Sequence, residues 1–219
     1  MFPRPAPDRR AVVAGAAAAL LTPRAWAGEA AYDAVVAKPG SKTPRGKRFD
    51  SLAAALAAAP LGGPFRIWLG AGEWREKLTI RSANVAIVGE HRQRTRLSFD
   101  AAAGLGDPDG KPWGTFGSAT LTVLAPGFRA DALTIENGFD PVAEAQRGGP
   151  MLGDRPGGQQ AVALALGAGS DSVQVLNADI LGRQDTLLVD AGRALFDACL
   201  VTGTVDFVTT TVYCLIAFA

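Results

Sequence analysis

Four polar side chains in the second half of the chain have the types and spacing that acyl-transfer chemistry needs. Gln160 opens the apolar run Ala161-Val162-Ala163-Leu164, and Gln184-Asp185 opens Thr186-Leu187-Leu188-Val189. Asp206 lies within Gly203-Thr204-Val205-Asp206-Phe207. Gln160 and Gln184 are 24 residues apart, and Asp185 and Asp206 are 21 apart. Two neighbouring carboxylates cannot both ionise freely, so one keeps a proton at a pH where the other is charged. The charged one can attack an ester carbonyl, and the protonated one can feed the leaving alkoxide and later activate water. Two glutamine amides can donate to the oxyanion that forms between them. Each residue alone reads as a turn residue facing water; the four together, at a repeated spacing, read as a site.

That spacing demands a scaffold that repeats about every 20 residues. Short apolar or β-branched runs bounded by Gly, Asn, Asp or Pro recur from Phe65–Leu69 onward, through Leu78–Ile80, Val173–Leu176, Leu187–Val189 and Leu195–Val201 to Val205–Val208. Each is too short for a helix. The segments beginning at Asn177 and Asp197 are alike and start 20 residues apart, with no crossover helix between them. Strands repeated at that interval imply stacked coils of a parallel β-helix, in which each coil covers the apolar edge of the next. Coils about 4.8 Å apart would place the four polar residues on one ladder. An antiparallel sandwich would instead favour tight hairpin signals, and Asn137-Gly138 opens a long loop. Asp50-Ser51 predicts a cap for a short helix over Leu52 to Ala59, a plug on the N-terminal end of the solenoid. The proline- and glycine-rich stretch Asp140 to Gly158 reads as a loop thrown out between coils.

The chain has 219 residues and a formal charge of +1, enough for one sizeable domain and without the basic footprint of a nucleic-acid binder. Arg9-Arg10, the apolar run Ala11 to Leu21 and Ala25-Trp26-Ala27 mark residues 1–27 as a secretory signal peptide, with a hint of twin-arginine export. The apolar run is too short to span a bilayer, so no membrane attachment is expected after cleavage, and the product is periplasmic or secreted. Cleavage leaves 18 basic and 20 acidic residues, a balance that gives no long-range attraction to a polyanion. Residues 28–48 read as a leader and 49–219 as the β-helical domain. Cys199, between Ala198 and Leu200, reads better as a buried core thiol than as half of a bridge to Cys214. His91, beside Arg92 and Arg94, reads as a solvated loop residue, and no metal-ligand spacing is present.

The segments Gln-Ala-Val-Ala-Leu, Gln-Asp-Thr-Leu and Gly-Thr-Val-Asp-Phe, in this order, resemble the signature segments of pectin methylesterases. Thr115 to Thr120, Gly127-Phe128, Ala132 to Asn137 and Gly70 to Lys77 are similar to the family upstream of the site. The likeness runs from about Phe49 to Phe207, and the long Asp140–Gly158 loop looks like the bacterial members. The resemblance implies an all-β fold, a right-handed, single-stranded, pectin-lyase-like parallel β-helix. It implies Asp206 as nucleophile, Asp185 as acid/base, Gln184 and Gln160 as oxyanion-stabilising amides, and Thr115 and Gln160 as substrate contacts. The reaction it implies is hydrolysis of the methyl ester of galacturonate units in pectin, releasing methanol, by a monomer without metal or organic cofactor.

Two departures from the family pattern bear on that expectation. The family places an aromatic residue after Gln-Asp-Thr-Leu, where it can line the sugar cleft, and this chain has Leu188. Family members also continue past Asp-Phe with further coils that carry an arginine for the nucleophile and substrate-contacting tryptophans; here no charged residue follows Asp206. The chain is therefore expected to lack its C-terminal coils and to be impaired in activity. A same-fold ester or thioester hydrolase acting on another substrate, and a non-catalytic polysaccharide-binding or degenerate solenoid, are the competing readings.

Overall fold

A three-residue strand buries too little to hold itself together, and its backbone groups need partners on both sides. In the computed structural model, which describes residues 31–149 and 158–210 and the backbone of Leu215–Phe218, coiling supplies them. Three parallel sheets result: sheet A has eight strands, and sheets B and C have five each. One coil runs through β12 (Val173–Leu176) in sheet A, β13 (Asp179–Leu181) in B and β14 (Leu187–Val189) in C. The next repeats the order with β15 (Arg193–Asp197), β16 (Leu200–Thr202) and β17 (Val208–Thr210). This is the expected parallel β-helix.

The core is a set of in-register apolar rows. In sheet C, Leu78, Leu121, Leu164 and Leu187 stack directly on one another. Ile80, Val123, Leu166 and Val189 form the row two residues on, and both rows are buried. Period-2 alternation sends the residue between them to the outer face. Because every inward residue packs against the coils above and below, Leu164→Ala would cost about 3 kcal/mol. At the N-terminal end the helix Leu52–Ala57 is capped by Ser51, whose Oγ accepts from Ala54 N at 3.1 Å. Both oxygens of the Glu76 carboxylate accept from its first amides, Leu52 N and Ala53 N. Leu52 and Ala55 are thereby drawn into the core.

The chain turns corners on residues with positive φ. Between sheets A and B the register stacks Ala132, Asn177 and Ala198, with φ of 56°, 46° and 52°. The coil step here is 21 residues, Asn177 to Ala198, not the 20 suggested by the similar segments. The same corner divides the predicted run Leu195–Val201 into β15 and β16 at Ala198. Three further differences from expectation are structural. The leader contains β1 (Ala34–Val36) and β2 (Lys47–Phe49), and β1 is fully buried within sheet A. The loop after Asp140 contains a helix, Pro141–Gln146, capped by the Asp140 carboxylate, a start that Asp-Pro signals. After Asp206 the chain does not leave the pattern: β17 pairs with β14, and β18 (Leu215–Phe218) pairs with β15.

The signal-peptide assignment and Cys214 lie outside the described residues. Among the described residues, no helix is long and apolar enough to cross a membrane. Cys199 is a free thiol packed against the core, half-buried, with Sγ 3.2 Å from Val175 O. His91 is exposed, as expected, and its Nδ1 accepts from Gln93 N at 3.2 Å.

Candidate active site

Coil length varies at one corner above all, the one between sheets B and C. From Leu78 to Leu121 and from Leu121 to Leu164 the chain takes 43 residues per coil, then 23 to Leu187 and 21 to Val208. The extra residues form two excursions between sheets B and C. One lies between β7 (Thr95–Phe99) and β8 (Leu121–Val123), and the other between β10 (Thr134–Asn137) and β11 (Leu164–Leu166). The next two coils cross the same corner directly, through Gly182 to Thr186 and Gly203 to Phe207. Glycine is required at the second crossing, since a Cβ on Gly203 would lie 2.3 Å from the Phe207 Cβ and 2.9 Å from Arg183 O.

Asp185 and Asp206 are the positive-φ residues of these two crossings, with φ of 57° and 45°. Aspartate tolerates this region better than a bulky residue does, so the turn itself selects a carboxylate-compatible position. Asp185 N donates to Val205 O at 3.2 Å, and the strands beyond are paired Leu187 to Val208. Asp206 therefore sits one rung beyond Asp185, about 4.8 Å along the solenoid. Asp185 is buried and Asp206 exposed. Burial, then the charge of Asp206, pushes the Asp185 carboxyl above the ordinary aspartate value, while the nearby Gln160 amide pulls it partly back. One carboxyl that holds its proton more tightly than usual beside one open to water is the division of labour an acid and a nucleophile require.

The two glutamines flank this pair. Ala161 N donates to Gln184 O at 3.1 Å, which aligns Gln160 with Gln184 on adjacent rungs and accounts for their separation of 24. The strands themselves are offset by 23, because Ala163 N and Leu164 N both donate to Thr186 O and absorb one residue. Gln184 also bridges to Val205 of the next coil. Thr115, in the short helix Gly114–Ser118, donates through Oγ1 to Gln160 Oε1. All five residues picked out in the sequence thus converge on one corner. Leu188 projects from the outer face of sheet C, in register with Ala165 and Thr209, and packs with Ala119 and Val162.

Where the chain leaves sheet B for this corner, an open groove of about 450 Å³ is lined by Glu136, Phe139, Asp140, Leu181, Arg183 and Thr204. Arg183 is paired with Asp140, and Glu136 with Arg96. Two residues of this corner were not picked out as site residues. Asn137 is 2% exposed, and its Nδ2 donates to three carbonyls, Ala101 O, Ser118 O and Val162 O, at 2.9 to 3.1 Å. Ser118 Oγ donates to Thr115 O at 2.7 Å and accepts from Val162 N at 3.2 Å. The signal available for Asn137 was its place at the mouth of the long loop.

Comparison with known proteins agrees with this geometry. The sequence pattern of the pectinesterase family matches residues 33–217, further at both ends than the motifs alone suggested. Pectinesterase A of Dickeya chrysanthemi is 40% identical over 179 residues, covering 81% of this chain and 48% of its own length. Pectinesterase 1 of Citrus sinensis is 37% identical over 180 residues, covering 80% of this chain and 26% of its own length. The chain thus spans about half the length of the bacterial relative and about a quarter of the plant one. Among solved structures, the pectin methylesterase from Erwinia chrysanthemi aligns with a TM-score of 0.74 at 38% identity, over 85% of this chain and 54% of that one. A pectin methylesterase in complex with a hexasaccharide aligns equally well, again at a TM-score of 0.74 and 38% identity, over 85% of this chain and 54% of that one.

Proposed function

Because the chain belongs to the pectinesterase family, we propose that its B–C corner hydrolyses the methyl esters of galacturonate units in pectin. The observation that carries this reading is the stacked pair: Asp185, buried and held toward its protonated form, one rung from exposed Asp206. An Asp206 oxygen attacks the ester carbonyl, and the amides of Gln160 and Gln184 stabilise the oxyanion. As the C–O bond to the methoxy group breaks, Asp185 gives its proton to the departing oxygen, and methanol leaves. Asp185, now charged, takes a proton from water, whose oxygen attacks the acyl carbon. The bond to Asp206 breaks, which restores its carboxylate and frees the galacturonic acid carboxyl, which then loses its proton to solvent. Thr115, bonded to Gln160, and Gln160 itself are read as substrate contacts. The reading includes export of the chain after loss of residues 1–27 and action as a monomer.

The test is methanol release from highly methylated pectin by the full chain and by Asp206→Asn. Release by the parent that the substitution abolishes supports the assignment. Equal release by both would remove Asp206 as nucleophile. No release by the parent would remove the esterase reading for this chain. The outer-face Leu188, where the family carries an aromatic residue, favours including small aryl and thiol esters as a second substrate arm.

A further inference from the structure

We propose that Asn137 is a positioning residue for this reaction: it fixes the two excursions so that Thr115 and Gln160 are presented to Asp185. The proposal rests on the esterase reading for its meaning, but its geometry stands apart. Asn137 ends β10 at the point where the chain leaves sheet B for the second excursion. Its Oδ1 accepts from Phe139 N at 3.0 Å, which turns the chain outward. Its Nδ2 donates to Ala101 O at 2.9 Å, Ser118 O at 3.1 Å and Val162 O at 3.0 Å. Both N–H bonds of the amide are committed, one of them shared between two carbonyls, and the side chain is buried away from substrate.

The three carbonyls belong to the beginning and end of the first excursion and to the return of the second. Flexible segments of this length would sample many placements, and closing them in one costs conformational entropy. From Asn137 the bonding continues to the reacting groups. Ser118 Oγ donates to Thr115 O and accepts from Val162 N. Thr115 Oγ1 then donates to Gln160 Oε1, and Gln160 O accepts from Ala103 N at 2.8 Å. With Oε1 occupied by Thr115, the Nε2 hydrogens of Gln160 are the ones left for Asp185 and for an oxyanion. Asn137 therefore sets which end of the Gln160 amide faces the chemistry, although it touches neither substrate nor carboxylate.

The experiment compares the full chain with Asn137→Ala, with the milder Ser118→Ala, and with Thr134→Ala as a control. Thr134 lies on the same strand but serves the opposite corner, where its Oγ1 donates to Arg92 O at 2.8 Å. Three readouts are taken: the titration of the Asp185 carboxyl by carbon NMR, hydrogen exchange at Val162 N–H, and kcat and KM for methanol release. Asn137→Ala is expected to move the Asp185 titration upward, because the Gln160 amide that holds it down is displaced. Val162 exchange should quicken about 100-fold, and kcat should fall about 100-fold with KM changed by less than about threefold. Ser118→Ala should move each in the same direction by less, and it decides the matter if Asn137→Ala does not fold. Thr134→Ala should lower the unfolding midpoint and leave the Asp185 titration in place. An Asp185 titration unchanged in both Asn137→Ala and Ser118→Ala would overturn the proposal and reduce Asn137 to a fastener. A parent chain that releases no methanol sinks the esterase reading instead, and the titration and exchange results still decide the positioning claim.

Discussion

The left-handed positions at the A–B corner are filled by Ala132, Asn177 and Ala198, and those at the B–C corner by Asp185 and Asp206. For alanine this conformation costs about 1–2 kcal/mol with no compensating side-chain bond, so the A–B corner tolerates strain simply to turn the chain. Among the described residues this corner is closed by a tie. Arg92 Nε donates to Asp179 Oδ1 at 2.8 Å, and Nη1 donates to Ala198 O at 2.9 Å. At the B–C corner the same backbone geometry carries carboxylates, one of them buried. One corner is tied across its coils by the partly buried Arg92–Asp179 pair, and the other gathers two carboxyls and two glutamines on adjacent rungs. The fold itself is indifferent to which corner bears function; side chains decide.

Substitutions that exchange these properties test the contrast. The largest effect is expected at the B–C corner, where Gln184→Ala should lower kcat about 10²- to 10³-fold by removing one oxyanion donor. The unfolding midpoint in urea should barely move; a large drop would make Gln184 structural. At the A–B corner the reverse is expected. Arg92→Ala strands the buried Asp179 carboxylate and should destabilise the chain by about 3 kcal/mol, measured by urea titration, with the Asp185 titration unchanged.

The third test uses pH. The native Asp185 carboxyl is raised above its ordinary value of 3.8, so the native state binds its proton more tightly than the unfolded chain does. Its contribution to stability is fully present below that value and is lost as pH rises through the native one. Asp185→Asn should therefore be more stable than the parent near neutral pH, and the gap should close on acidification below about 4. A gap independent of pH would show that Asp185 carries no proton burden. The smallest effect belongs to Ala198→Gly, which relieves left-handed strain at an exposed position and should stabilise by about 1 kcal/mol.

Much of this architecture was legible in the sequence because inward rows repeat. Phe65–Leu69, Leu78–Ile80, Val173–Leu176 and Leu187–Val189 form strands with the boundaries their apolar runs indicate. Two of the strands that escaped notice have a single buried side chain each. In Arg129–Asp131 only Ala130 is buried, and in Gly72–Arg75 only Trp74, so neither shows an apolar run. The ladder of Gln160, Gln184, Asp185 and Asp206 was legible because those crossings follow the coil step. Asn137 was not, because its partners lie 36, 19 and 25 residues away, at distances set by excursions of irregular length. The helix at Pro141–Gln146 was masked by the glycine- and proline-rich stretch around it, although Asp140-Pro141 announces its start.

The Arg92 tie has a further consequence when the solenoid is treated as a one-dimensional row of coupled units. In such a row each unit interacts with its two neighbours, and opening proceeds from an end one unit at a time. After the strand Gly72–Arg75, sheet B runs in the order β7, β10, β13, β16, and Arg92, which precedes β7, bonds to Asp179 in β13 and to Ala198 just before β16. This is a coupling of second and third range. It lengthens the correlation along the row, so coils spanning more than 100 residues of sequence share one opening event. In hydrogen exchange, amides from Thr95–Phe99 to Leu200–Thr202 should then exchange at a common rate, which splits into graded rates when the guanidinium is removed.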